Sequence, residues 1–149
     1  MRLFDNFKRN KEFEKLQRSN FDKTELIEEI EKYFKITLPK DYIEYFSENN
    51  GFTGVLNDEY YDLWKLEDII PLNIEYKVQE FFPNLVYFGS NGGDEAYAFD
   101  KSNNMCIVSI PFIGSEEDKK IIAKNFHEFI NNNSKNKYLY RLIRVYCYC

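Results

Sequence analysis

The sequence has few of the residues that most often carry catalysis, metal binding and disulfide chemistry: one histidine, His127, and three cysteines among 149 residues. A histidine-based catalytic site needs a nucleophile and an orienting acid around the imidazole, and the sequence identifies neither. Cys106 is isolated, and Cys147 and Cys149 are too closely spaced for the usual zinc site. We therefore predict a protein without catalytic residues, cofactor or bound metal.

The chain also lacks a long apolar segment, although hydrophobic residues make up 44% of it. A transmembrane helix requires about 20 consecutive apolar residues, so the sequence predicts no membrane span. The N-terminus is charged and has no apolar stretch leading to a small-residue cleavage site, and the odd number of cysteines favours reduced thiols. These features predict a cytoplasmic protein.

The net charge of −5 is unevenly distributed. Residues 1–20 carry +3 and residues 135–149 carry +4, which leaves −12 for residues 21–134. A strongly negative body repels nucleic acid and attracts basic proteins, whose association it accelerates. The charge distribution therefore argues against direct nucleic-acid binding and favours a basic protein partner.

Local patterns predict two helices and then a series of strands. Asp22–Glu25 resembles a capping box that opens the first helix, Pro39 begins the second, and Asn50-Gly51 ends it. The predicted strands are 52–56, 60–66, 85–88, 95–99 and 105–112.

Two further helical segments complete the prediction. Residues 66–82 form a helical pattern that we expect to be interrupted at Pro71. Ser115–Asp118 is expected to cap a last helix, whose buried side would hold Ile121, Ile122, Phe126, Phe129 and Ile130. This order of elements predicts an α+β fold with a central, mainly antiparallel sheet of about five to six strands flanked by helices.

The length predicts a single domain over residues 1–149. Its core is expected at about 22–131, after an N-terminal arm or helix at 1–21 and before an aromatic, basic tail at 132–149. The pattern of the tail leaves helix and strand open.

The glycine-rich segment 89–93 allows two interpretations, a phosphate-binding loop and a hairpin turn. A phosphate-binding loop has a lysine nearby and leads into a helix. Here Asp94 and Glu95 follow at once and would repel phosphate, and the next residues alternate as a strand. The sequence favours the hairpin turn.

The order of these motifs resembles the SUKH superfamily, which includes a yeast cell-wall-synthesis regulator and many bacterial immunity proteins. The motifs are Leu38-Pro39-Lys40-Asp41-Tyr42, Asn50-Gly51, Phe88-Gly89, Gly92-Gly93, Tyr97-Ala98-Phe99-Asp100 and Phe126-His127-Glu128-Phe129-Ile130. The resemblance covers roughly residues 22–131. It implies a mixed sheet flanked by helices and no catalytic residues. It also implies a function common in the superfamily, that of an immunity protein that neutralises a toxin, in many cases a nuclease.

An acidic and aromatic segment is the candidate partner-binding site. Asp58, Glu59 and Asp62 are interleaved with Tyr60, Tyr61 and Trp64, and Asp94 and Glu95 on the neighbouring hairpin are expected to extend the same face. Rings of this kind serve as interface anchors. A solvated loop with no partner is the alternative interpretation, and a Mg²⁺ or Ca²⁺ site is another, although the segment lacks the pattern of a calcium loop.

Three functional hypotheses follow. The first is an immunity protein that binds a basic toxin, of nuclease type, through the acidic and aromatic face. The second is an intracellular interaction module in cell-wall or stress regulation, and the third is a metal-dependent hydrolase that uses Asp58, Glu59 and Asp62.

Overall fold

The computed structural model describes residues 23–56 and 58–131. Its helices are α1 Lys23–Phe34, α2 Lys40–Glu48, α3 Leu66–Glu75, α4 Val78–Phe81 and α5 Phe126–Asn131. Its strands are β1 Phe52–Leu56, β2 Glu59–Leu63, β3 Leu85–Ser90, β4 Glu95–Asp100, β5 Cys106–Pro111 and β6 Lys120–Ala123. Short 3₁₀ turns lie at Lys101–Asn103 and Glu116–Asp118.

The six strands form one antiparallel sheet in sequence order, β1 to β6. Each strand therefore pairs with the one before it. A short turn joins β1 to β2 and β3 to β4, whereas α3 and α4 lie between β2 and β3. The predicted α+β fold with five to six mainly antiparallel strands and flanking helices is confirmed.

Aromatic rings fill the space between one face of the sheet and two of the helices. Tyr42 of α2 meets Phe99 at 5.1 Å between ring centroids, and Phe129 of α5 meets Tyr97 at 4.9 Å. Phe88 packs against rings from both helices. Edge-to-face ring pairs of this kind add to the free energy gained from burying apolar area. We call this side of the sheet the helix-covered face.

A buried side chain, that of Asn73 in α3, completes the backbone hydrogen bonding of β3. β2 pairs with β3 only through Asp62↔Ser90 and Leu63↔Gly89, because the chain then turns toward α3. The Tyr87 N–H donates to Oδ1 of Asn73 at 2.9 Å, and Nδ2 of Asn73 donates to the Tyr87 carbonyl at 2.8 Å. The Asn73 side chain thus takes the place of a paired strand at this position.

Two sequence predictions about helices were wrong. α3 continues through Pro71 and ends at Glu75, and the break comes at Lys77, whose φ is 54°. The missing proline N–H removes only one helical hydrogen bond, and the buried side chains of α3 hold the helix in place despite this loss.

The helix expected after Ser115 is a single 3₁₀ turn, held by the Asp118 carboxylate, which accepts from the Ser115 N–H at 2.9 Å. Lys120–Ala123 then forms β6, with Ile121 opposite Val108 of β5. The open edge of β5 supplies backbone partners that a local helical pattern does not reveal, and only Phe126–Asn131 is helical.

Several predictions concern residues outside the described part of the chain. They are the arm or helix at 1–21, the capping residue Asp22, the tail at 132–149 and the two terminal cysteines. Within the described residues, no helix is long and apolar enough to cross a bilayer.

Candidate protein-binding site

The tips of two neighbouring hairpins lie together at one end of the sheet. Tyr60 comes just after the β1–β2 turn, and its ring covers Gly92 in the β3–β4 turn so closely that a methyl group on Gly92 would overlap it. Gly92 has a φ of +80°, a left-handed conformation that glycine adopts without a Cβ clash. The contact joins the acidic and aromatic segment at 58–64 to the hairpin turn that precedes β4.

The β3–β4 turn is organised by its own polar side chains. Oδ1 of Asn91 accepts from the backbone N–H of Gly93 at 2.9 Å and from that of Glu95 at 3.2 Å. Strand β4 follows directly, so the segment is a hairpin turn as predicted, and no helix continues from it.

Four acidic residues lie at the two tips, and strand alternation directs the side chains of Glu59 and Glu95 to the helix-covered face, opposite the Tyr60 ring. Asp58 and Asp94 are exposed in the turns, and Glu59 and Glu95 are partly exposed at the adjoining strand ends. Together with Tyr60 they form what we call the hairpin-tip surface. No ion pair joins these acids to a cation in residues 23–56 or 58–131.

The charges of Glu59 and Glu95 both act on Tyr97, on the helix-covered face. Burial, with a further contribution from these two carboxylates, raises the pKa of Tyr97 to about 12. Both glutamates thus act on one tyrosine although they belong to different hairpins. The Tyr60–Gly92 contact joins the two acidic tips.

The structure does not place Tyr61 and Trp64 on this surface. Tyr61 is 1% exposed and packs against Phe129 at 5.6 Å between ring centroids, and Trp64 is 7% exposed. Side chains alternate between the faces of a strand, so Tyr61 points into the helix-covered face while Tyr60 points away from it. The expectation that all three rings line one exposed face is corrected, and only Tyr60, 44% exposed, remains accessible.

Asp62 lies on the same side of β2 as Tyr60. Thr53 of β1 is directly opposite, and its hydroxyl donates to Oδ1 of Asp62 at 3.3 Å. Burial raises the pKa of Asp62, and the hydrogen bond from Thr53 opposes this effect. Val55, opposite Tyr60, is 64% exposed, and sequence reasoning missed it because its pattern is that of an ordinary strand residue.

The proposed metal ligands are not gathered into one site. The alternation of β2 sends Glu59 and Asp62 to opposite faces of the sheet. Among the described residues, no three His, Cys, Asp or Glu side chains are grouped as metal ligands would be. His127 is exposed on α5 and contacts the side-chain amide of Asn131 at 3.1 Å.

The sequence of the chain matches a known protein family over most of its length. The model of the SMI1 / KNR4 family (SUKH-1) matches residues 23–132. The chain belongs to this family. A search of curated proteins found no match. The matched range agrees with the resemblance predicted for roughly residues 22–131, and membership in the SUKH-1 family fits an immunity or regulatory module.

Proposed function

We propose that this SUKH-1 protein is a non-enzymatic immunity protein that neutralises a basic toxin, of nuclease type, by binding it through the hairpin-tip surface. The main support is the contact of Tyr60 with Gly92, which joins two hairpin tips that together carry four acidic residues and one accessible ring. An accessible ring beside charges of one sign is suited to a partner of the opposite charge.

The two segments that carry the surface are rich in acidic residues. Residues 52–64 and 90–100 contain no lysine or arginine. A nuclease carries positive charge where it grips phosphates, so the negative tips would steer it into the complex and compete with its substrate. An individual surface charge contributes little to affinity, so we assign the steering of the toxin to the four carboxylates together. Tyr60 and its neighbour Val55 would supply the contact area.

The test removes the charge without removing the side chains. The hairpin-tip variant carries Asp58→Asn, Glu59→Gln, Asp94→Asn and Glu95→Gln. A matched control carries Glu25→Gln, Glu28→Gln, Glu29→Gln and Glu117→Gln, which neutralise four exposed acids elsewhere. Both variants gain the same net charge, so an effect of overall charge would appear equally in the two.

Each protein is co-expressed with the toxin encoded immediately upstream of its gene. We expect the wild type and the control to restore growth and to retain the toxin in a pull-down, while the hairpin-tip variant does neither. Loss of growth with the wild type, or equal protection by the control and the hairpin-tip variant, would contradict the proposal.

A second candidate is an intracellular interaction module in cell-wall or stress regulation, which the SMI1 / KNR4 membership favours. It uses the same surface for a basic regulatory protein of the host. A pull-down that recovers such a protein, lost in the hairpin-tip variant and kept in the control, would support this function over toxin neutralisation.

A further inference from the structure

The side of the β1–β2 hairpin that faces away from the helix-covered face extends from the hairpin tips along the sheet. It carries the carboxylate of Asp62 next to aromatic rings. Thr53, Val55 and Tyr60 are exposed there, and Asp62 is partly buried beside them. The hydroxyl of Thr53 gives Asp62 a single neutral hydrogen bond at 3.3 Å, and no described cation forms an ion pair with it. Partial burial of a carboxylate is unfavourable unless a charge or strong donors compensate it.

Tyr76, at the end of α3, brings a second ring to this carboxylate. Burial raises the pKa of Tyr76, and the charges of Glu75 and Asp62 raise it further. The Tyr76 ring is 38% exposed and stacks on Trp64 with centroids 6.0 Å apart and planes 12° apart. Tyr60 and Trp64 lie two residues before and two residues after Asp62, on the same side of the chain. Asp62 is therefore between the Tyr60 ring and the Trp64 ring on which Tyr76 stacks.

We propose that an arginine side chain of the bound protein docks on this surface, with its guanidinium on the Asp62 carboxylate and its plane against the exposed rings. The proposal rests on the proposed function and names the chemical group that the partner supplies. It extends the hairpin-tip surface, because Tyr60 belongs to both.

The surroundings of Asp62 suit a guanidinium better than an ammonium. A guanidinium is planar and weakly hydrated, donates two parallel hydrogen bonds to one carboxylate, and stacks on aromatic rings. An ammonium is a compact and strongly hydrated charge, and it loses more solvation on a surface built from rings. The partner is therefore expected to present arginine, rather than lysine, at the centre of its contact.

The experiment uses the full chain and two simple probes, hexaarginine and hexalysine. Trp64 is the only tryptophan and stacks on Tyr76, so its fluorescence reports binding at this surface. Asp62→Asn removes the charge and keeps the shape of the side chain, and Glu117→Gln is the matched control at an exposed acid. Thermal melting of each variant checks that it is folded.

We expect hexaarginine to bind the wild type more tightly than hexalysine does, and Asp62→Asn to weaken hexaarginine binding about ten-fold, equivalent to about 1.4 kcal/mol. Glu117→Gln should change it less than about two-fold, as expected of an exposed charge. In addition, the pKa of Asp62 measured by NMR should fall when hexaarginine binds, because a nearby cation favours the carboxylate.

Three results would overturn the proposal: equal binding of the two peptides, equal weakening by the two variants, or a wild-type dimer that Asp62→Asn dissociates, which would assign the surface to a second copy. If these results appear while the hairpin-tip variant still loses toxin protection, the arginine site is wrong and the proposed function stands. If hexaarginine binds as expected but no toxin is neutralised, the arginine site stands and the proposed function is wrong.

Discussion

Replacing Asn73 by leucine tests the inference that one side chain stands in for a strand beside β3. Asn73 is 1% exposed, and the substitution leaves the N–H and the carbonyl of Tyr87 without partners in the core. Each buried group that loses its hydrogen bond costs about 1–3 kcal/mol, so the two together cost about 2–6 kcal/mol. The added apolar burial of leucine returns roughly 1 kcal/mol.

We therefore expect Asn73→Leu to lower the free energy of unfolding by about 3 kcal/mol, a large part of the roughly 5–15 kcal/mol typical of a domain. For a chain of this size, that loss corresponds to a fall in Tm of about 10 °C. Urea unfolding followed by circular dichroism, together with thermal melting, measures both quantities.

Asn84→Leu is the matched control, because Asn84 is exposed and undergoes the same chemical change. It should alter stability by less than about 0.5 kcal/mol. If Asn73→Leu melts within about 2 °C of the wild type, or if the two variants lose equal stability, the strand-like role of Asn73 is refuted.

Two further predictions concern the hairpin tips. Gly92→Ala should lower the free energy of unfolding by about 1–2 kcal/mol because Gly92 has a positive φ, and by more if the methyl group displaces Tyr60. Gly93→Ala, whose methyl group would have its nearest neighbour 3.5 Å away, should leave urea unfolding nearly unchanged. Equal losses of stability in the two variants would contradict this. The folded state holds the Tyr97 proton more tightly than the unfolded chain, whose tyrosine pKa is about 10, so stability should be intact below that pH and fall as the pH rises towards about 12. Tyr97→Phe should make this fall shallower, and an unchanged slope in alkaline urea titrations would contradict the assignment.

Much of the fold could be predicted because its signals are local. Pro39 and Gly51 mark the ends of a helix through their own backbone preferences, and the turn at 90–93 needs only glycine and a polar side chain. Neither β6 nor the path of α3 through Pro71 could be predicted in this way. β6 depends on pairing with β5, and α3 is held by packing with residues distant in the chain.

In the candidate site, too, the sequence shows which residue types are present, and the tertiary structure shows how they are arranged. Sequence alone determined that residues 52–64 and 90–100 carry acids and rings and no lysine or arginine, since this is a matter of composition. Only the tertiary structure decided which side chains share a surface. The pleat of β2 sends Tyr61 inward and Tyr60 outward, and the Tyr60–Gly92 contact joins two tips that lie some thirty residues apart. Composition determines which side chains are available to a partner. Strand register and packing decide which of these side chains the partner can reach, because register and packing depend on contacts between residues distant in the sequence.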